Sequence, residues 1–131
     1  MTDGTIIVID DATSVMERSR QLTLNPFQGI SEAERNALDP PIGDAIKTFS
    51  ALDGAFVIRE DGVVLAAGRY LHPVQGNVEL PLGLGARHAA AAAITVNTSA
   101  VAISVSQSSG AVRVWKGGQA VLELQQVARR S

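Results

Sequence analysis

The sequence predicts a single α/β domain, and three observations carry that expectation. A β-branched run, Thr5-Ile6-Ile7-Val8-Ile9, leads directly into the helix-capping carboxylates Asp10 and Asp11. Two apolar, strand-like runs flank Asp61-Gly62, the signature of a hairpin. A glycine-bearing loop, Gly83-Leu84-Gly85, opens into the alanine-rich segment Ala89-Ala90-Ala91-Ala92-Ala93, and three further strand-like runs follow. At 131 residues, 46% of them hydrophobic, the chain suits one domain over residues 1–131 with a core of its own.

In order, Thr5–Ile9 reads as a buried strand and Ala12–Leu22 as a helix with an apolar stripe through Val15, Met16 and Leu22. Asn25-Pro26-Phe27-Gln28-Gly29 is a loop, and Ser31-Glu32-Ala33-Glu34 is a capping box that starts a short helical turn. Pro40-Pro41 at a helix start, with Ile42, Ala45, Ile46 and Phe49 at helical spacing, predicts a helix to Ala51. Strands are expected over residues 55–60 and 63–70, joined by a two-residue turn with positive φ at both Asp61 and Gly62. Leu71 to Pro81 reads as a loop that can line a site, and a helix follows from about Gly85 to Thr95 or Asn97. Ala100–Ser106, Ala111–Trp115 and Ala120–Leu124 then form an antiparallel meander, turned at Gln107-Ser108-Ser109-Gly110 and Lys116-Gly117-Gly118. Arg129-Arg130-Ser131 is expected to fray.

Composition excludes several functions. A net charge of −2, with no basic stripe, argues against nucleic-acid or membrane-surface binding. The absence of cysteine removes disulfide scaffolds, thiol nucleophiles and zinc–thiolate sites, and fits a cytoplasmic protein. No apolar run approaches the ~20 residues of a membrane span, and the N-terminus lacks the order of a signal peptide. His72 and His88 stand far apart and outside any His-Glu-x-x-His pattern, and no Gly-x-Ser-x-Gly elbow occurs. There is no P-loop, and Gly83-x-Gly85 lacks the third glycine and the preceding strand of a dinucleotide fingerprint.

The chemistry concentrates at Gly83-Leu84-Gly85-Ala86-Arg87-His88. The first N–H groups of a helix are unpaired, and its dipole places partial positive charge there, so such an end favours phosphate. Arg87 and His88 add charge-assisted donors within the first turn. The same stretch also fits an ordinary loop-to-helix junction bearing two surface cations. Asp53, between a helix and a strand, can project a carboxylate toward a metal ion or can simply make an Asp-Gly turn. Ser106, at a strand end, can offer its hydroxyl to phosphate or bond the following turn.

Taken together, Asp53-Gly54-Ala55, then about thirty residues on Leu84-Gly85-Ala86-Arg87-His88, then Ser104-Val105-Ser106-Gln107 and the Gly117-Gly118 turn, resemble the diadenylate cyclase domain. That family joins two ATP molecules into cyclic di-AMP, releasing pyrophosphate, and is marked by an Asp-Gly-Ala motif and an Arg-His-Arg motif preceded by Gly-Thr. The resemblance spans most of the chain and implies a mixed, twisted sheet flanked by helices. It implies that Asp53 binds a divalent metal (Mn²⁺, Mg²⁺ or Co²⁺) and acts in catalysis with Arg87 and His88. Gly54 and Ala55 would let the nucleotide lie close to the backbone, while Gly85, Ala86 and Ser106 would border its phosphates. It also implies a homo-oligomer, because each subunit holds one ATP and two must meet face to face. Ala86 stands where threonine is usual and Ala89 where the final arginine is usual. Arg69 or Arg113 could supply the missing cation. The departures keep two other readings open: a degenerate module that binds ATP or cyclic di-AMP without turning it over, and a structural domain without a ligand.

Overall fold

The computed structural model describes residues 4–72, 86–106 and 110–125. Seven strands form one mixed sheet: β1 (Gly4–Ile9), β2 (Ser19–Gln21), β3 (Ala55–Ile58), β4 (Val64–Leu71), β5 (Val101–Ser106), β6 (Val112–Lys116) and β7 (Gln119–Leu124). Across the sheet they run β2-β4-β3-β1-β5-β6-β7. Only β1 and β3 are parallel neighbours, as expected for a strand pair joined by a long crossover; every other pair is antiparallel. The expected α/β class, the mixed sheet and the C-terminal meander are all present.

The sheet is covered on both faces. Helices α1 (Ala12–Glu17) and α3 (Ala86–Asn97) pack on one face over Ile6, Val8, Val57, Ala102 and Trp115. Helix α2 (Pro40–Phe49) covers the other, where Ile42, Ala45, Ile46 and Phe49 meet Phe27, Phe56, Ile58 and Val64. The stripe of alanines in α3 explains its close seat. Ala91 and Ala92 are fully buried, so the helix backbone approaches the sheet without large side chains between them.

Two local expectations are revised. The helix predicted over Ala12–Leu22 ends at Glu17, and Ser19–Gln21 instead pairs with β4. The reason is tertiary: Arg69 of β4 donates to the carbonyls of Met16 (2.9 Å) and Ser19 (2.8 Å) and takes acceptors at this corner. Packing here overrides a modest helix propensity. The β3–β4 turn has three residues, not two, since Arg59 N–H reaches Val63 O and Gly62 N–H reaches Arg59 O (both 2.8 Å). Only Gly62 has positive φ (95°), so Asp61 is spared the left-handed conformation that a two-residue turn would impose. Helix α2 ends at Phe49, two residues short of expectation, and the Ser31–Glu34 box makes a single 3₁₀ turn over Glu32–Glu34, closed by Ser31 Oγ to Glu34 Oε1 (2.9 Å). The loop expected up to Pro81 (from residue 73), the Gln107-Ser108-Ser109 turn and the frayed terminus lie outside the described residues.

Candidate active site at the N-terminus of α3

Register places the predicted residues at one end of the sheet. Ile6 of β1 stands opposite Ala55 of β3, and Gly4 opposite Ser106. The N-terminal ends of β1 and β3 and the C-terminal end of β5 therefore coincide. The first turn of α3 descends onto that same end, with Arg87 Nη2 donating to Asp53 Oδ1 at 3.1 Å. Two segments far apart in sequence, each singled out for its chemistry, thus meet directly.

A cleft of about 290 Å³ opens between them, lined among others by Asp53, Gly54, Ala55, Arg69, Ala86 and Arg87. The Asp53 carboxylate is well exposed, at 71%, whereas the Arg87 side chain is 20% exposed. Arg87 Nε is buried and has no hydrogen-bond partner among the described residues. A buried guanidinium N–H without an acceptor is unfavourable unless something else supplies one. A larger, shallower depression of about 550 Å³ beside α1 contains none of the predicted residues.

Gly54 has a structural reason to be glycine. Its φ is +99°, and a Cβ there would lie 2.6 Å from the Gly68 carbonyl carbon. Gly68 sits where the β3–β4 register shifts, so the two glycine backbones are pressed together at a bulge. This contact fixes the direction in which β3 emerges and hence where Asp53 stands.

Arg87 and His88 do not act on the same side. Successive helix residues are turned by about 100°, and His88 points into the sheet, where it is 5% exposed. Its Nδ1 bonds Ser104 Oγ, which also accepts from Trp115 Nε1 at 2.9 Å. Burial and the nearby Arg113 cation lower the His88 pKa, while Glu123 opposes them. Ser106 ends β5 at the same end of the sheet; its N–H bonds Ala111 O, its carbonyl accepts from Gly110, and it does not border the cleft formed by the described residues. Gly85 lies outside them.

Arg69 is the cleft residue whose position the sequence left open. It pairs in register with Ala55, so it faces the same side of the sheet. Its guanidinium donates to Ser19 Oγ, Met16 O and Ser19 O. No carboxylate partner is found among the described residues, and burial lowers its pKa without threatening its charge. Arg113, in contrast, is paired with Glu123 at 3.0 Å.

The residues suit a divalent cation of one kind. No cluster of three or more His, Cys, Asp or Glu side chains able to hold a metal occurs among the described residues. Asp53 offers a single exposed carboxylate whose Oδ1 accepts from Arg87, which matches a hard cation that takes one protein carboxylate and fills its shell with phosphate and water oxygens.

A mixed sheet on which a carboxylate loop and the first turn of a helix meet at one cleft defines an α/β domain with a single candidate site at the sheet end. The family model described as DisA bacterial checkpoint controller nucleotide-binding, or DAC, matches residues 1–120, and the chain belongs to this family. It is 48% identical over 120 residues to a diadenylate cyclase of Methanocaldococcus jannaschii and 45% identical over 121 residues to one of Haloferax volcanii, covering 92% of this chain in both cases. The matched region spans 38% and 44% of those relatives' lengths. Among solved structures, the hypothetical membrane spanning protein from Bacillus cereus superposes with a TM-score of 0.64 at 21% identity, over 96% of this chain and 56% of its own. DacA from Staphylococcus aureus, as an N166C/T172C double mutant, gives a TM-score of 0.56 at 25% identity, over 95% and 75%. No helix among the described residues is long and apolar enough to cross a membrane.

Proposed function

We propose that this chain is the cyclase domain of a diadenylate cyclase, condensing two ATP molecules into cyclic di-AMP and releasing two pyrophosphates. The observation that carries the reading is the direct contact of Asp53 with Arg87 across a cleft bordered by Gly54, Ala55 and Ala86, in a chain nearly half identical to named diadenylate cyclases.

In each half-reaction the 3′-oxygen of one ATP bonds the α-phosphorus of the other, the bond from that phosphorus to the bridging oxygen breaks, and the hydroxyl proton passes to solvent. Arg87 and the N–H groups of the first α3 turn bind the triphosphate and stabilise the negative charge that gathers on the departing pyrophosphate. Arg69, on the opposite wall and without a carboxylate partner among the described residues, adds a second cation to the cleft and offsets the arginine missing at Ala89. Asp53 would hold a divalent cation (Mn²⁺, Mg²⁺ or Co²⁺), which would neutralise phosphate charge and acidify the attacking hydroxyl.

One subunit carries one Asp53 and one α3 N-terminus, whereas the product joins two nucleotides head to tail. Two subunits facing each other place each 3′-hydroxyl in line with the other α-phosphate and make the step effectively unimolecular. Incubation with ATP and Mn²⁺ or Mg²⁺, followed by chromatography for cyclic di-AMP and pyrophosphate, tests the activity. Specific activity per subunit across a dilution series tests the pairing and is expected to fall as subunits separate. ATP binding without product would favour a degenerate nucleotide-binding module, the reading that Ala86 and Ala89 support. Absence of both would leave a structural domain.

A further inference from the structure

We propose that Trp115 and Ser104 are positioning residues that lock His88 in the tautomer carrying its proton on Nε2, and so seat the first turn of α3 on the sheet with Arg87 turned to the cleft. The bearing of this on catalysis rests on the proposed function; the tautomer itself does not.

The argument is one of proton inventory. An indole N–H can only donate, so in the Trp115 Nε1 contact of 2.9 Å the Ser104 hydroxyl is the acceptor. Ser104 has one proton left to place, and its other side-chain partner among the described residues is His88 Nδ1. If Nδ1 accepts that proton, both the donor and the acceptor capacity of the Ser104 hydroxyl are used. If Nδ1 instead carried a proton, in the other neutral tautomer or in the imidazolium, Ser104 would accept twice and its own hydroxyl proton would face no acceptor. Ser104 is 0% exposed and Trp115 1% exposed, so water cannot repair that loss.

The charges around the ring agree. Arg113 of β6 stands in register beside Ser104 and disfavours a cation at His88, while Glu123 of β7 works the other way but is bound to Arg113 at 3.0 Å. The locked tautomer leaves Nε2–H as the remaining bonding capacity of a ring 5% exposed, and nothing accepts from it among the described residues.

The test is nitrogen-detected NMR of the His88 ring in ¹⁵N-labelled protein near neutral pH. The wild-type chain is expected to show one species, with a pyrrole-type Nε2 and an acceptor-type, hydrogen-bonded Nδ1. In Trp115→Phe the Ser104 hydroxyl can either donate or accept, and the second tautomer appears. In Ser104→Ala the hydrogen-bond signature at Nδ1 is lost. A wild-type ring protonated on Nδ1 overturns the proposal, as do folded variants whose His88 resonances match the wild type. Should both variants fail to fold, the wild-type spectrum alone decides. A locked Nε2–H tautomer in a protein that neither binds nor cyclises ATP would uphold this inference and defeat the proposed function.

Discussion

Arg87 Nη2 lies 3.1 Å from Asp53 Oδ1, joining the first turn of α3 to the loop that enters β3, 34 residues earlier in the chain. With Asp53 well exposed, the pair is a surface ion pair of the kind worth about 0–1 kcal/mol to folding. Its value is positional: it holds a carboxylate and a guanidinium together at one cleft.

Asp53→Asn is therefore expected to fold normally and bind ATP, yet to lose cyclic di-AMP formation by roughly 100-fold or more, because the removed charge is the one that acts on the transition state. Product chromatography at saturating metal, beside calorimetric ATP titration, reads the two effects separately. Near-normal turnover would refute the role given to Asp53.

Arg87→Ala should separate binding from stability in the opposite sense. Loss of a charge-assisted contact of about 1.5–3 kcal/mol weakens ATP affinity roughly 10- to 100-fold. The melting temperature should fall by only a few degrees, consistent with a weak surface pair. A variant that lost its melting transition and kept its ATP affinity would identify Arg87 as a structural residue.

Gly54→Ala is expected to destabilise the fold by about 2 kcal/mol or more, since the new Cβ meets the Gly68 backbone and the left-handed φ strains any side chain. Urea unfolding measures it. Wild-type stability in this variant would mean that β3 and β4 can separate at the bulge at little cost.

Stability should also decline as pH falls through the ordinary histidine range. The folded-state pKa of His88 is depressed, so below about pH 6.5 the unfolded chain takes up a proton that the folded chain refuses, and unfolding is favoured. Urea midpoints compared at pH 7.5 and 5.5 for the wild type and His88→Gln isolate this contribution as the difference between the two slopes. Equal slopes would show that His88 titrates alike in both states.

Much of this architecture is legible in the sequence because its signals are local. The Asp61-Gly62 hairpin, the start of α3 at Ala86 and the C-terminal meander each follow from a few neighbouring residues. β2 is not legible in that way: Ser19-Arg20-Gln21 carries no alternation of its own and becomes a strand because Arg69 reaches across to cap the corner. The parting of Arg87 and His88 could have been foreseen, since adjacent helix residues cannot face one cleft together. The place of Arg69 was not, since a regular hairpin turned at Asp61-Gly62 would set Gly68 beside Ala55, and the register shifts between β3 and β4 bring Arg69 there instead. The pairing of Ser104 with Trp115 was not, because it depends on the depth at which β5 and β6 lie beneath α3.

The central place of β1 sets the order in which the molecule can assemble. The meander from β5 to β7 and the β3–β4 hairpin close short loops, whereas β1 must find partners about fifty and about a hundred residues downstream. Each half closes within its own stretch of chain, and β1 slots between them. The pairing of β1 with β3 and β5 is what brings Asp53 and Arg87 to the same end of the sheet, so a chain without it carries no formed cleft. Amide hydrogens along Ile6–Val8 should exchange only through global opening and serve as the slow clock of the whole domain.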